Sequence, residues 1–411
     1  MTGKAPTPAI KVGFWFDAPF EYSGGLNYFH NLLYALAQVN DGSVHPYVFF
    51  ANDIPGAIER RFTPYATVVR TKLLQRHTVS WLAHKLTECV FGVMPLFTGL
   101  LRTHDIHVLS HVWFVCKGRM PFRIIAWIPD FQYLHLPDLF PTLDTGQETR
   151  TQQRVIAQSD VVVVSSEHAF QDFKRVALPS HQSLGKVLHF VSQPDARVAS
   201  SDLTLETIQR KYGFNGRYFH LPNQFWAHKN HLVVLQAVDK LKRAGINVQV
   251  LCTGNTKDYR VDAAQYIDQL REFIDSNDLH HNIRILGLID YGDVLFLMRN
   301  AVAVINPSRF EGWSSSVEEA KSMGTPVVLS NIEVHVEQAP ANAHYFDPSD
   351  FEGLTEILRT VWYESDTKSR FELENAAAEA LRERTLTFGL EYFRLLASVA
   401  GRETQRMEDE F

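Results

Sequence analysis

Val302-Ala303-Val304-Ile305-Asn306-Pro307-Ser308-Arg309-Phe310-Glu311-Gly312-Trp313-Ser314-Ser315-Ser316-Val317-Glu318-Glu319-Ala320 is the most informative stretch of this 411-residue chain. Its first four residues form an apolar run that reads as a buried strand. The serines open a helix that stops near Gly324-Thr325-Pro326. Two carboxylates, Glu311 and Glu319, thus stand eight residues apart across a strand-to-helix turn. At the carboxyl edge of a parallel sheet such a turn offers free backbone N–H groups and a positive helix end to an anion, and a diphosphate suits it. Ser316 and Glu319 also spell the S-x-x-E capping box, by which Glu319 would only satisfy the first turn of its own helix.

Outward from this stretch the second half of the chain keeps a strand-helix rhythm. Apolar runs at Tyr218 to Leu221, Val248 to Thr253 and Ile283 to Leu288 alternate with helical patterns at Asn230 to Arg243 and Tyr266 to Ile274. That alternation is the pattern of βαβ units and a doubly wound parallel sheet. In the first half, Ile10 to Phe16 reads as a buried strand, and Ser23-Gly24-Gly25 reads as a glycine loop before a helix bearing Leu26, Phe29, Leu33 and Leu36. Short apolar runs at Tyr47 to Phe50, Ile106 to Leu109, Ile124 to Ile128 and Val161 to Ser165 suit a second parallel sheet. The polar interval from Gln193 to Gly216 reads as a linker. The expected division is therefore 1–195 and 216–384, with a C-terminal helix at about 385–405 packing back on the first domain.

Composition narrows the function classes. The apolar content of 45% supports large cores, and a net charge of -6 gives no basic field for nucleic acid. Cys89, Cys116 and Cys252 lie far apart with no CxxC spacing, so neither a disulfide framework nor a zinc module is suggested. The N-terminus lacks the cationic and apolar segments of a signal peptide, and the apolar stretch Cys89 to Leu101 is interrupted by Pro95 and falls short of the roughly 20 residues that span a bilayer. A cytoplasmic location is expected. Residues 72–102, with Lys72, Arg76, His77 and Lys85 beside apolar side chains, suit either a helix covering the sheet or peripheral contact with the inner face of a membrane.

The frame Pro307-Ser308, Glu311-Gly312, Glu319-Ala320, Gly324-Thr325-Pro326-Val327-Val328 resembles the retaining glycosyltransferases of family 4, whose hallmark is Glu, seven residues, then Glu. The resemblance implies a GT-B fold: α/β, two Rossmann-like domains with parallel sheets facing an interdomain cleft that closes on a nucleotide-sugar donor. It places Glu311 at hydroxyls of the donor sugar and Glu319 at the nucleotide ribose diol, where a carboxylate accepts paired hydrogen bonds. The turn amides around Ser314, Ser315 and Ser316 would face the diphosphate. In Leu221-Pro222-Asn223-Gln224-Phe225-Trp226-Ala227-His228-Lys229-Asn230, Lys229 occupies the family's lysine position at the diphosphate, but Gln224 stands where an arginine is usual. An amide donates a hydrogen bond without neutralising charge, so Arg309 or His228 is a candidate to compensate. Gly24 and Gly25 resemble the family's glycine loop near the phosphates, where the absence of a side chain lets amides approach a ligand.

On the acceptor side Ile128-Pro129-Asp130 matches a family His-Asp pair only at Asp130, with His135 a candidate for the missing histidine and Ser165-Ser166 a further candidate at the domain face. Glu311-Gly312-Trp313 and the serines look like bacterial surface-polysaccharide mannosyltransferases. The resemblance therefore implies retaining, front-face transfer of a hexose from a nucleotide-diphosphate sugar, GDP-mannose favoured, to a glycan or lipid-linked acceptor in polysaccharide or lipopolysaccharide synthesis. The chain has no D-x-D, so no metal or other cofactor is expected. A nucleotide-sugar epimerase of the same fold and a non-catalytic nucleotide- or glycan-binding protein are the alternatives.

Overall fold

The structure, a computed structural model, describes residues 9–17, 23–92, 94–115, 120–139, 144–194, 203–256, 263–364 and 367–401. The chain divides into two compact units. The first comprises residues 1–131, 144–191 and 383–411, and the second comprises 132–143 and 192–382.

In the first unit β1 (Ile10–Trp15), β2 (Val44–Ala51), β3 (Thr67–Thr71), β4 (Val108–Val112), β5 (Arg123–Trp127), β6 (Val161–Val164) and β7 (Gly185–Val187) form one parallel sheet ordered β3-β2-β1-β4-β5-β6-β7. The inner strands are near-continuous apolar runs because helices cover both faces of a parallel sheet. β3 and β7 escape a reading by periodicity. The first, Thr-Val-Val-Arg-Thr, buries only its last residue, and the second is three residues long. The helix after β1 begins at Ser23, so Gly24 and Gly25 form its first turn and are not a loop ahead of it. Their backbone N–H groups still lack intrahelical partners by position.

The last helix, Thr367–Val399, passes from the second unit to the first, and from Glu383 it packs on the first sheet. Tyr392 fixes it there: its hydroxyl donates to Ser110 Oγ at 2.7 Å, Ser110 Oγ lies 2.8 Å from His111 Nδ1, and His111 Nε2 lies 2.8 Å from the Tyr28 hydroxyl. All four side chains are buried. Residues 402–411, expected to fray, lie outside the described residues.

In the second unit β8 (Phe219–Leu221), β9 (Val250–Thr253), β10 (Ile283–Gly287), β11 (Val304–Asn306), β12 (Val327–Ser330) and β13 (Ala343–Phe346) make a parallel sheet ordered β10-β9-β8-β11-β12-β13. The chain winds outward from β8 through β9 and β10, then restarts at β11 and winds the other way. The neighbouring ends of β8 and β11 are therefore the topological switch point, where loops diverge and leave a crevice. The polar interval read as a linker holds the Leu205–Tyr212 helix, whose Ile208 is buried against Phe214, Tyr218 and Leu251 of this unit; residues 195–202 lie outside the described residues. Gly324 closes the Ser315–Met323 helix in the left-handed region at φ 68°, and a Cβ there would lie 2.5 Å from the Leu373 carbonyl oxygen. Only glycine satisfies both demands.

Burial pushes the imidazoles of His111, His220 and His231 down to about 3. The unfolded chain takes up protons on these groups as pH falls through about 6.5, while the folded protein refuses them until about pH 3. Stability is thus full above pH 7 and declines below 6.5, each histidine adding a slope of about 1.4 kcal/mol per pH unit. Urea unfolding should give matching midpoints at pH 8 and 7 and a clear fall by pH 5. Equal midpoints from pH 7 to 5 would contradict this account.

Candidate functional site

β8 and β11 each deliver an asparagine to the switch point. Asn306, the last residue of β11, is fully buried. Its Oδ1 accepts from Asn223 Nδ2 at 2.9 Å and from the backbone N–H and hydroxyl of Ser308 at 3.2 and 2.7 Å. Pro307 has no N–H to offer, so the Asn306 side chain caps the turn by taking the next one. Its Nδ2 points to Ser314 Oγ at 2.9 Å and Ser316 Oγ at 3.3 Å. One side chain thereby ties the β8 exit, the β11 exit and the start of the next helix.

Two further links hold the β8 turn against the β11 turn. The Arg309 N–H donates to the His228 carbonyl at 2.8 Å, and Asn230, at φ 56°, donates from Nδ2 to the Pro307 and Pro348 carbonyls at 3.1 and 2.8 Å. Their result is an ion pair: Lys229 Nζ lies 2.6 Å from Glu311 Oε1, with side chains only 13% and 9% exposed. Ser308 Oγ lies 2.7 Å from the same oxygen, its single proton shared between this carboxylate and Asn306 Oδ1. Among the described residues every bond to this carboxylate lands on Oε1, leaving Oε2 for a ligand. Burial alone would raise the Glu311 pKa; the Lys229 and His335 fields and the hydrogen bonds from Lys229 and Ser308 outweigh it and hold it at about 2. Glu311 is an anion at neutral pH, suited to accept hydrogen bonds or balance positive charge and not to donate a proton.

The helix start differs from the capping-box reading. Ser314 is the N-cap, and Ser316 lies inside the Ser315–Met323 helix. The Glu319 carboxylate, 5% exposed, instead accepts a hydrogen bond from the Tyr291 hydroxyl. Gln338 clamps the turn from outside. Its Oε1 accepts the Ser314 N–H at 3.2 Å, and its Nε2 donates to the Ser314 carbonyl at 3.0 Å and to Glu318 Oε1 at 3.2 Å. The Ser314 amide is therefore occupied, and an anion would meet the amides of Ser315, Ser316 and Val317, which have no intrahelical acceptor.

Gln224 is committed in part. Its Oε1 accepts the Asn255 N–H at 2.6 Å, tying the β8 exit to the β9 exit, so only its Nε2 can donate to a ligand. Gly254 lies between these turns at φ 152°, where a Cβ would come within 2.3 Å of the Asn223 carbonyl oxygen. The Arg309 side chain is exposed and makes no ion pair among the described residues, whereas His228 is buried with its ring against Trp226. Of the two candidates to offset Gln224, Arg309 is the one open to a ligand.

Asp130 follows β5 in the first unit, half-buried, behind an exposed Pro129. His135 belongs to the second unit and packs its ring 5.1 Å from that of Phe310, next to Glu311. Gly24 and Gly25 lie in the first unit. Ser166 is the N-cap of the Glu167–Val176 helix, accepting the Ala169 N–H at 3.0 Å, and Ser165 accepts from Trp127 Nε1 at 3.4 Å, so both hydroxyls have local structural partners. Asn223, Asn306, Tyr291 and Gln338 were not singled out from the sequence. A polar residue ending the apolar run before Pro307 is a signal for Asn306; the other three are brought in by folding from elsewhere in the chain.

Removing one member of a buried ion pair strands the other, at a cost of roughly 3 to 5 kcal/mol. Lys229→Met should lower the urea midpoint strongly, and adding Glu311→Gln should restore part of the loss. A Lys229→Met variant as stable as the parent would show that the pair is not closed in solution.

Residues 206–380 match the family described as glycosyl transferases group 1. The O-antigen chain mannosyltransferase RfbU of Salmonella typhimurium is 26% identical over 190 residues, 46% of this chain and 50% of that protein, so the match spans about half the length of this relative. Among solved structures, a glycosyltransferase from Rickettsia africae aligns with TM-score 0.66 at 13% identity over 96% of this chain and 100% of its own. HepE of Anabaena, solved with UDP and glucose, aligns with TM-score 0.65 at 15% identity over 95% of this chain and 100% of its own. The chain therefore has the GT-B fold, and its residues 206–380 match the glycosyl transferases group 1 family, in keeping with the resemblance to family 4.

Proposed function

We propose that the protein transfers a hexose from a nucleotide-diphosphate sugar to a glycan or lipid-linked acceptor, with retention of anomeric configuration, in surface polysaccharide or lipopolysaccharide synthesis. The observation that carries this reading is the Lys229–Glu311 pair at the ends of β8 and β11, beside a helix start with free amides. The donor diphosphate takes the Ser315, Ser316 and Val317 amides, Lys229 and the Gln224 Nε2. Glu311 uses Oε2 to hold a hydroxyl of the sugar, and Glu319 accepts from the ribose diol.

In the transfer the bond from sugar C1 to the phosphate oxygen breaks as the acceptor hydroxyl oxygen bonds to C1 on the same face. The hydroxyl proton passes to the departing phosphate oxygen. Negative charge grows on the leaving diphosphate, where fixed amide dipoles and Lys229 stabilise it without reorganising. Glu311, held ionised, favours the positive charge that develops at C1. Asp130 serves the acceptor. No metal or other cofactor is required in this scheme, because the cationic and dipolar groups come from the chain itself.

The donor favoured is GDP-mannose, on the likeness to an O-antigen mannosyltransferase; UDP-glucose is the competitor, since HepE was solved with UDP and glucose. Calorimetric titration of GDP, UDP and their sugar conjugates into the wild type and Glu319→Ala, in chelator, tests both points. Binding of one nucleotide that weakens about tenfold or more in the variant is expected; no binding by the folded wild type would favour a non-catalytic role. Product formed without acceptor would favour an epimerase.

We further propose a cytoplasmic protein in peripheral contact with an anionic membrane. Among the described residues no helix is long and apolar enough to cross one. The Val79–Phe91 helix instead turns apolar side chains outward, with Val79, Leu82 and Leu86 at 83%, 55% and 62% exposure, near Lys72, Arg76 and Lys85. Spacings of three and four put these three on one face, suited to lie in a headgroup layer. The protein should sediment with phosphatidylglycerol-containing vesicles, less at high salt, and a Leu82→Asp, Leu86→Asp variant should stay in the supernatant. Equal sedimentation of the two proteins would remove this helix from the contact.

A further inference from the structure

A cleft of about 1220 Å³ lies wholly within the first unit, at the amino ends of β4, β5 and β6. Ile106 and Phe122 give it an apolar wall, and the exposed side chains of Arg102, Arg123 and Arg154 also line it. At about 3.3 Å per residue, the other end of the five-residue strand β5, which leads to Asp130, is roughly 13 Å away. The cleft holds two carboxylates, and the fold neutralises both. Asp160 Oδ1 accepts from Arg123 Nη1 at 2.8 Å and its Oδ2 accepts the Ile124 N–H at 2.8 Å, while Asp105 Oδ2 lies 3.4 Å from Lys11 Nζ. Arg102 and Arg154 have no ion pair among the described residues. Each stands in the last turn of its helix, Pro95–Thr103 and Thr145–Ala157, where the carbonyl end favours a cation.

We propose that this cleft binds an anionic saccharide, a sugar chain bearing phosphate or carboxylate groups, through Arg102 and Arg154. None of the residues assigned to the donor takes part, so the proposal stands apart from the donor-site reading. A guanidinium offers planar, paired N–H groups that match the oxygens of a phosphate or carboxylate, and two of them here carry charge that no carboxylate of the protein has claimed. The apolar wall suits the C–H face of a sugar ring. At about 1220 Å³ the cleft exceeds the roughly 300 to 1,000 Å³ of most small-molecule pockets, so it has room for more than one ring and far more than a single ion needs. The chain as a whole carries a net charge of -6, which repels anions at long range, so attraction must come from these local charges at contact.

The test titrates mannose 6-phosphate and trigalacturonate by calorimetry, with inorganic phosphate and neutral maltotriose as controls, into wild type, an Arg102→Gln, Arg154→Gln variant and Glu319→Ala. Both arginines are exposed, so the double variant should keep the urea midpoint of the wild type. At least one anionic saccharide should bind the wild type and Glu319→Ala alike, more tightly than either control. It should bind about fivefold or more weakly to the double variant, and added salt should weaken it further. Which of the two binds tells phosphate from carboxylate. If neither binds, or if the double variant binds as tightly as the wild type, the proposal is overturned. If inorganic phosphate binds as tightly as the saccharides, the cleft takes an ion only and the saccharide assignment falls. Binding that Glu319→Ala abolishes would belong to the donor site and would equally remove the cleft as its seat.

Discussion

The second unit depends on the side chain of Asn306. Parallel strands that wind away from each other on either side of a switch point have no hydrogen-bond ladder beyond their ends, and their loops would splay. Asn306 spends its amide on that gap. It takes Asn223 from β8, caps the Pro307-Ser308 turn, and reaches Ser314 at the start of the following helix. Buried polar groups of this kind fix geometry because every alternative arrangement leaves one of them unpaired.

The chemistry inherits this rigidity. Lys229 and Glu311 are 82 residues apart in sequence and meet at 2.6 Å because the two turns that carry them are bonded to each other at His228, Asn230, Pro307 and Arg309. Gln338 completes the arrangement by consuming the Ser314 amide, so the free amides of the helix start are confined to the next three residues. A fixed pair of charges beside fixed dipoles is the arrangement that stabilises a leaving diphosphate without waiting for solvent or side chains to turn. The oxygen of Gln224 secures the neighbouring turn, and in the proposed donor site the cationic charge would come from Lys229 and the exposed Arg309.

Much of this was legible in the sequence where a strand, a turn and a helix follow one another directly. The run Val302 to Ala320 announced the strand end, the two glutamates and the helix, and the rhythm of apolar runs announced both parallel sheets. Edge strands β3 and β7 were not legible, because a half-exposed or three-residue strand carries no period. The helix boundary was misjudged at Gly24-Gly25, where glycines that usually mark a loop lie inside the first helical turn. The alternative reading of Ser316 and Glu319 as an S-x-x-E capping box is not what the structure has: a capping box is defined by where the helix starts, and it starts one position after Ser314. Gln338 and Tyr291 gave no local signal, since their partners are 24 and 28 residues distant and only the packed fold brings them together.

The central claim is that the crevice between the ends of β8 and β11 receives a nucleoside diphosphate. Hydrogen exchange of the backbone amides, followed with and without saturating nucleotide, tests it most directly. The account predicts slowed exchange at Ser315, Ser316 and Val317 and in the Asn223 to Asn230 turn. Nucleotide binding that leaves these amides unchanged and slows exchange elsewhere would contradict it.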